Sequence, residues 1–266
     1  MCVWGRGCPH LPGVGAAFST HINQNGCISS PNYRWEDIPA AAILSAELGH
    51  PVEVATGVTA MAAIELLSRP LGESDVAISG STLYFYAREV VAHAWMFHGA
   101  VHRPHQGRDP RPFRHIAISG EFLNISLDLP GHIHPLSNTG VLHAARARGV
   151  EAVDFGHLVH QAAQLPLARE IFDARARLLV ELIRLAVDVV GPDSLVFAGE
   201  AFTLDPQELQ LIIAMLREHQ GGPGDFRIQR AGRNILRNAA RQVALYRLWQ
   251  DPLATLSSSP KGHGRP

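Results

Sequence analysis

Residues 13–69 read GVGAAFSTHINQNGCISSPNYRWEDIPAAAILSAELGHPVEVATGVTAMAAIELLSR, and this stretch decides the fold class. Residues 14–19 are a short run after glycine and predict a strand. Over 36–48, Ile38, Ala42, Leu44 and Leu48 recur at helical spacing, and Gly49 supplies a stop. VEVAT, entered through Pro51, predicts a second strand, with Thr56 and Gly57 as the turn behind it. A second helix is expected over 58–68, ended by Pro70. Strands alternating with helices indicate an α/β protein.

The same alternation continues outward. Residues 75–79 predict a strand. LYFYAREVVAHAWMF (83–97) alternates and is aromatic, which predicts two more strands. VHRPHQGRDPRPFR is crowded with Pro and Arg and reads as loop, followed by short strands at 115–119 and 122–127. A loop over 130–139 opens a mostly helical half, with helices expected at 141–148, 155–164 and 167–190. In the last of these, Ile171, Ala174, Leu178, Leu182, Leu185 and Val189 repeat at three or four. Gly191 and Pro192 end it, and the strand SLVFAG follows. Asp205, Pro206 and Glu208 form a capping-box-like helix start. A strand FRIQ and a helix over 235–250 close the pattern. The tail after Thr255 is rich in Ser, Pro and Gly and is expected to be disordered.

Composition narrows the function classes. The chain has 266 residues, 46% hydrophobic and 18% charged, with a formal net charge of −1. That balance excludes wholesale disorder and gives no electrostatic reason to expect nucleic-acid binding by the chain as a whole. No apolar run is long enough to span a bilayer, so no membrane partner is expected. Lys261 is the only lysine, so no earlier segment can use a lysine as nucleophile or phosphate-binding cation. Cys2, Cys8 and His10 lack metal-clip spacing and a fourth ligand, and read as incidental thiols in a reducing cytoplasm. Among 15 histidines, His98, His102, His105, His132, His134 and His143 could suggest a metal site. Loop histidines more commonly face water or bond the backbone, and no metal is expected. His157 and His160 are spaced to share one half-exposed helix face.

Several stretches, in order, resemble the ROK family of repressors, open reading frames and sugar kinases. In the first, the match falls on Gly13, Asn25, Gly26, Pro31, Asn32, Trp35, Gly49, Pro51 and Glu65. Further on, ISGSTLYF, FHGAVHRPHQG and LVFAGEAF are similar to the family's phosphate loop, hairpin and nucleotide-side strand. The resemblance spans residues 13–253, with an insertion after Gly107. It implies a two-lobed actin-like ATPase fold, ribonuclease H-like in topology. It also implies a small lobe over 1–77 with the 235–250 helix packed on it, and a larger lobe over 78–234. The family's first strands and DxGxT motif have no counterpart, so the fold is expected to be incomplete at the N-terminus, as a truncated reading of a longer protein or a decayed copy.

The chemistry departs from the family. Its kinases carry Asn and Asp at the turn after the second strand, and the Asp takes the proton from the sugar hydroxyl. Thr56 and Gly57 stand there instead, and Gly57 has no side chain to act as a base. No catalytic residue is therefore assigned. Gly80, Ser81 and Thr82 are read as a phosphate-loop remnant. The zinc-site cysteines are absent. Two registers place the zinc histidine at His115 or His132, and ARARGVEAV keeps Gly149 and Glu151. Asn32, Thr56, His115 and Glu151 are what the resemblance leaves of a sugar site. The expected function is a catalytically inactive sensor and dimerisation domain of a transcriptional regulator, binding a sugar or sugar derivative. The alternative is an ATP-dependent hexose kinase, and a third reading is a relic without ligand. The resemblance also implies a homo-oligomer. No cofactor is expected, no DNA-binding segment within this chain, and a cytoplasmic location.

Overall fold

The computed structural model describes residues 13–23, 25–30, 33–67, 80–102, 133–218, 224–230 and 235–250. The elements begin with β1 (Val14–Phe18), β2 (His21–Ile22), β3 (Ile28–Ser30), β4 (Trp35–Ile38), α1 (Ala40–Leu48), β5 (Val52–Thr56) and α2 (Gly57–Leu67). Next come β6 (Ser81–Ala87), β7 (Val91–Phe97), β8 (Ala100–Val101), α3 (Asn138–Ala147), α4 (Phe155–Ala162) and α5 (Pro166–Val190). The last are β9 (Ser194–Ala198), α6 (Glu200–Thr203), α7 (Pro206–Arg217), β10 (Asp225–Gln229) and α8 (Ile235–Gln250). Internal contacts divide the chain into two units. One holds residues 1–64, 104–108 and 234–266, and the other holds 65–103 and 109–233.

In the first unit β1 and β5 pair in parallel, from Val14 beside Val52 to Phe18 beside Thr56. A small antiparallel sheet, β2-β3-β4, lies between them in sequence. Asn23 forms its first turn: the Oδ1 accepts the N–H groups of Asn25 and Cys27, each at 3.0 Å. Ile22, Ile28 and Ala40 make a local core. Helix α8 packs on β1 through two glycines. A Cβ on Gly13 would lie 2.5 Å from the Ala244 carbonyl oxygen, and one on Gly15 would lie 2.2 Å from that of Ala240. Absence of side chains there is what lets helix and strand backbones touch.

The second unit is a mixed five-stranded sheet in the order β10-β9-β6-β7-β8. The strands β10, β9 and β6 are parallel, and β7 and β8 turn back antiparallel. Alternate residues Leu83, Phe85, Ala87, Leu195 and Phe197 point to one face. They form the main core with Leu179, Val180, Ile183 and Val187 of α5 and Ile212 and Leu216 of α7. A second cluster joins α3 and α4 to the front of α5 through Val141, Leu158, Ile171 and Phe172.

Most elements lie where periodicity placed them, within a few residues. The small sheet does not: β2 and β3 form where the reading had loop after the strand at 14–19, and residues 35–38 form β4, where the helical reading began at 36. Ile38 pairs with Ile28 and Trp35 with Ser30, and the helix starts only after Pro39, whose missing N–H suits a helix start. The short strand β8 and the single turn α6 lacked enough residues to show a period. The strands expected at 75–79, 115–119 and 122–127, and the tail after Thr255, lie outside the described residues.

Candidate functional site

The turn between β5 and α2 lies in the first unit. Thr56 ends β5 half-buried, and its Oγ1 lies 2.8 Å from Thr59 Oγ1 and accepts the Thr59 N–H at 3.3 Å. The hydroxyl thus closes the first turn of α2, the work of a helix cap. Gly57 opens the helix and is buried. A Cβ there would meet only the Phe18 carbonyl oxygen, at an ordinary 3.7 Å. The backbone therefore leaves room for a Cβ that the sequence does not supply.

In the second unit, Gly80, Ser81 and Thr82 lie at the amino end of β6. The Ser81 N–H donates to Asp193 Oδ2 at 2.7 Å, and its hydroxyl donates to the same oxygen at 3.0 Å. These bonds hold the exposed Asp193 carboxyl below its ordinary range. Thr82 Oγ1 and Ser194 Oγ meet at 2.7 Å, bridging β6 and β9. A carboxylate of the chain itself thus sits on the donors read as a phosphate-loop remnant. Ligands of α/β sheets sit outside the carboxyl ends of the strands, and these three residues stand at the opposite edge. Glu151 is exposed, and its backbone carbonyl accepts Gln161 Nε2 at 2.9 Å. Thr56 and Glu151 belong to different units. Asn32 and His115 lie outside the described residues, as do His132, Cys2, Cys8 and His10.

At the carboxyl edge of the same sheet, the structure gathers residues that the sequence reading did not single out. Arg88 and Glu89 form the hairpin turn after β6. Glu200 follows Gly199 at the end of β9. Arg88 Nε meets Glu200 Oε1 at 3.1 Å, and Asn138 Nδ2 donates to Glu200 Oε2 at 2.7 Å. Thr139 Oγ1 donates to Glu89 Oε2 at 2.7 Å, and the Asn138 N–H donates to the Arg88 carbonyl at 2.7 Å. Gly199 has φ +97°, and a Cβ on it would lie 2.3 Å from the Ala87 carbonyl oxygen, so only glycine fits. Ser137 caps α3 by accepting the Gly140 N–H at 3.1 Å. His134 is buried before it, its Nδ1 accepting the Leu136 N–H at 3.1 Å. The available signal was a charged pair at a hairpin turn and a Gly-Glu step closing an apolar strand.

A partly buried polar row links β6, β10 and the end of α2. Tyr84 donates its hydroxyl to Gln229 Oε1, and burial pushes that hydroxyl's pKa up, with Glu65 adding to the shift. Glu65, from the end of α2, meets Arg227 and Gln229 at 3.3 Å each. Among the described residues, no three His, Cys, Asp or Glu side chains gather as a metal site. No described helix is long and apolar enough to cross a membrane.

No family model matches the chain. A curated relative from Mycobacterium tuberculosis, named a transcriptional regulator, is 33% identical over 249 residues, covering 88% of this chain and 55% of its own length. A Mycobacterium bovis protein, also named a transcriptional regulator, aligns with the same figures. This chain thus spans just over half the length of the curated relatives it matches. Among solved structures, a ROK glucokinase from Streptomyces griseus, in complex with glucose and AMPPNP, superposes with a TM-score of 0.70 at 16% identity. It covers 88% of this chain and 81% of its own. A ROK transcriptional regulator homologous to the Escherichia coli protein MLC gives 0.64 at 17% identity, over 85% of this chain and 60% of its own. The α/β architecture, with its mixed sheet and flanking helices, is the fold of that glucokinase.

Proposed function

We propose that the chain, whose fold is that of solved ROK proteins, is the sensor and dimerisation part of a ROK-type transcriptional regulator, without kinase activity. Gly57 carries the reading. It stands at the turn where the resemblance puts a general base, and a backbone with room for a Cβ carries no side chain there. The names of the curated relatives point the same way. The ligand is a sugar or sugar derivative, with Thr56, Glu151, Asn32 and His115 as its assigned contacts. Thr56 reaches it only by sharing the hydroxyl that caps α2. DNA contact is assigned to a part of the regulator other than these residues, and the working form is a cytoplasmic homo-oligomer.

The test incubates the purified chain with magnesium-ATP and a panel of hexoses, and follows thermal unfolding with the same sugars and their phosphates. No phosphorylation is expected. A ligand held at about a hundred times its Kd adds about 2.7 kcal/mol of stability, which is several degrees in Tm for a chain of this size. Turnover at kinase rates overturns the proposal. A panel without any shift removes the ligand and favours the relic.

A further inference from the structure

The outer face of α5 is built of two rows. In one, Arg177, Glu181, Arg184 and Asp188 follow at three or four residues and alternate in sign. Beside it runs an apolar row, Leu178, Leu185 and Val189. The opposite side of the helix is buried through Leu179, Ile183 and Val187. Leu185 is 48% exposed and Val189 75%, whereas Leu178 rests partly against the core. Arg184 is fixed in place, its Nη2 donating to the Met215 carbonyl at 2.8 Å. Glu181 stays largely in solvent and approaches Arg184 Nη1 at 3.3 Å. Single exposed apolar residues are ordinary. The order of the charges beside them is what singles out this face.

That order is self-complementary about one point. A two-fold axis crossing α5 between Leu182 and Ile183 lays a second α5 antiparallel on the first. Arg177 then stands opposite the partner's Asp188, and Glu181 opposite the partner's Arg184, and the symmetry repeats both contacts. The same axis sets Leu178 midway between the partner's Leu185 and Val189, the position of a knob in a hole. Moving the axis two residues along the helix sets Glu181 against the partner's Asp188 in one direction, or Arg177 against the partner's Arg184 in the other. Both meetings are like on like, so the charges fix the register. We propose that α5 pairs with the α5 of a second copy of this chain across that axis. The proposal rests on the homo-oligomer of the preceding reading and names its surface. Three turns of helix make a small interface, so the dimer is a reversible one.

The experiment is sedimentation equilibrium of the full chain over roughly two decades of concentration, which spans a weak association. The wild-type chain is expected to pass from monomer to dimer. R177E and D188R each place like charges opposite one another twice in their own dimers, and each is expected to weaken self-association about tenfold. An equimolar mixture of the two restores opposite charges at both contacts, and is expected to dimerise as the wild type does. L185D/V189D, at exposed positions, is expected to stay monomeric with a native circular dichroism spectrum. Charge variants that dimerise as tightly as the wild type overturn the proposal. So does a mixture no stronger than its components, or a dimer that survives L185D/V189D. A wild-type oligomer indifferent to every substitution sinks this inference alone, whereas a wild-type chain monomeric throughout sinks the homo-oligomer with it.

Discussion

Gly57 lies where the backbone does not itself require a glycine. Its Cβ position is open to 3.7 Å and its φ lies outside the left-handed region, so the turn does not demand glycine. A glycine inside a helix costs about 0.5–1 kcal/mol relative to alanine. G57A is therefore expected to stabilise the chain by about that amount, measured as a shift in urea midpoint at constant slope. A destabilisation above about 1 kcal/mol would show that the site is tighter than the backbone implies. The neighbouring Thr56 shows the limit of reading single residues. Its position in the turn was legible from VEVAT followed by glycine. Its partner Thr59 was not, because only the helix start brings the two hydroxyls to 2.8 Å.

Between elements, the join of α5 to α7 illustrates what local pattern conveys and what it leaves out. Asp205, Pro206 and Glu208 announced a helix start, and Asp205 does accept the N–H groups of Gln207 and Glu208 at 3.1 and 3.3 Å. In a capping box the third acid would reach back to the cap residue. Here Glu208 turns inward and grips Arg175 of α5 at 2.7 and 2.5 Å, both side chains wholly buried. Arg175 also lies over the rings of Phe155 and Phe172, at 4.8 and 5.1 Å. No period in the sequence links residues 175 and 208, because their pairing depends on how two helices cross. E208A should cost about 3–5 kcal/mol by leaving a buried guanidinium uncompensated, whereas R175M/E208L should come much closer to neutral. Chemical denaturation of both variants checks this. Equal losses would mean that packing volume, not charge, matters at the join.

For the whole molecule, the periodic elements were legible and the polar contacts between strand ends were not. Alternation over 83–97 gave β6 and β7, and the heptad-like spacing over 167–190 gave α5. The pairing of Arg88 with Glu200 follows only from the strand order, which brings the ends of β6 and β9 together across a long sequence gap. Global stability should also carry a mark of acid. Burial pushes the His93 imidazole down from its ordinary value near 6.5 to about 4. An unfolded chain takes up this proton as pH falls through 6.5, and the folded chain only near 4. Stability from this group is present above 6.5 and is lost on descending toward 4. A plot of Tm against pH should slope across that window, and H93Q should flatten it; an unchanged slope would assign the acid sensitivity elsewhere. Strand β10 has a further consequence, for colloidal behaviour. Among the described residues it closes the sheet as an edge, paired on one side with β9, and it carries Asp225 and Arg227 in an ion pair of 3.1 Å. A charged edge is a poor template for an added strand. This edge therefore resists extending one sheet into the next, and crowding should not draw fibrils from it.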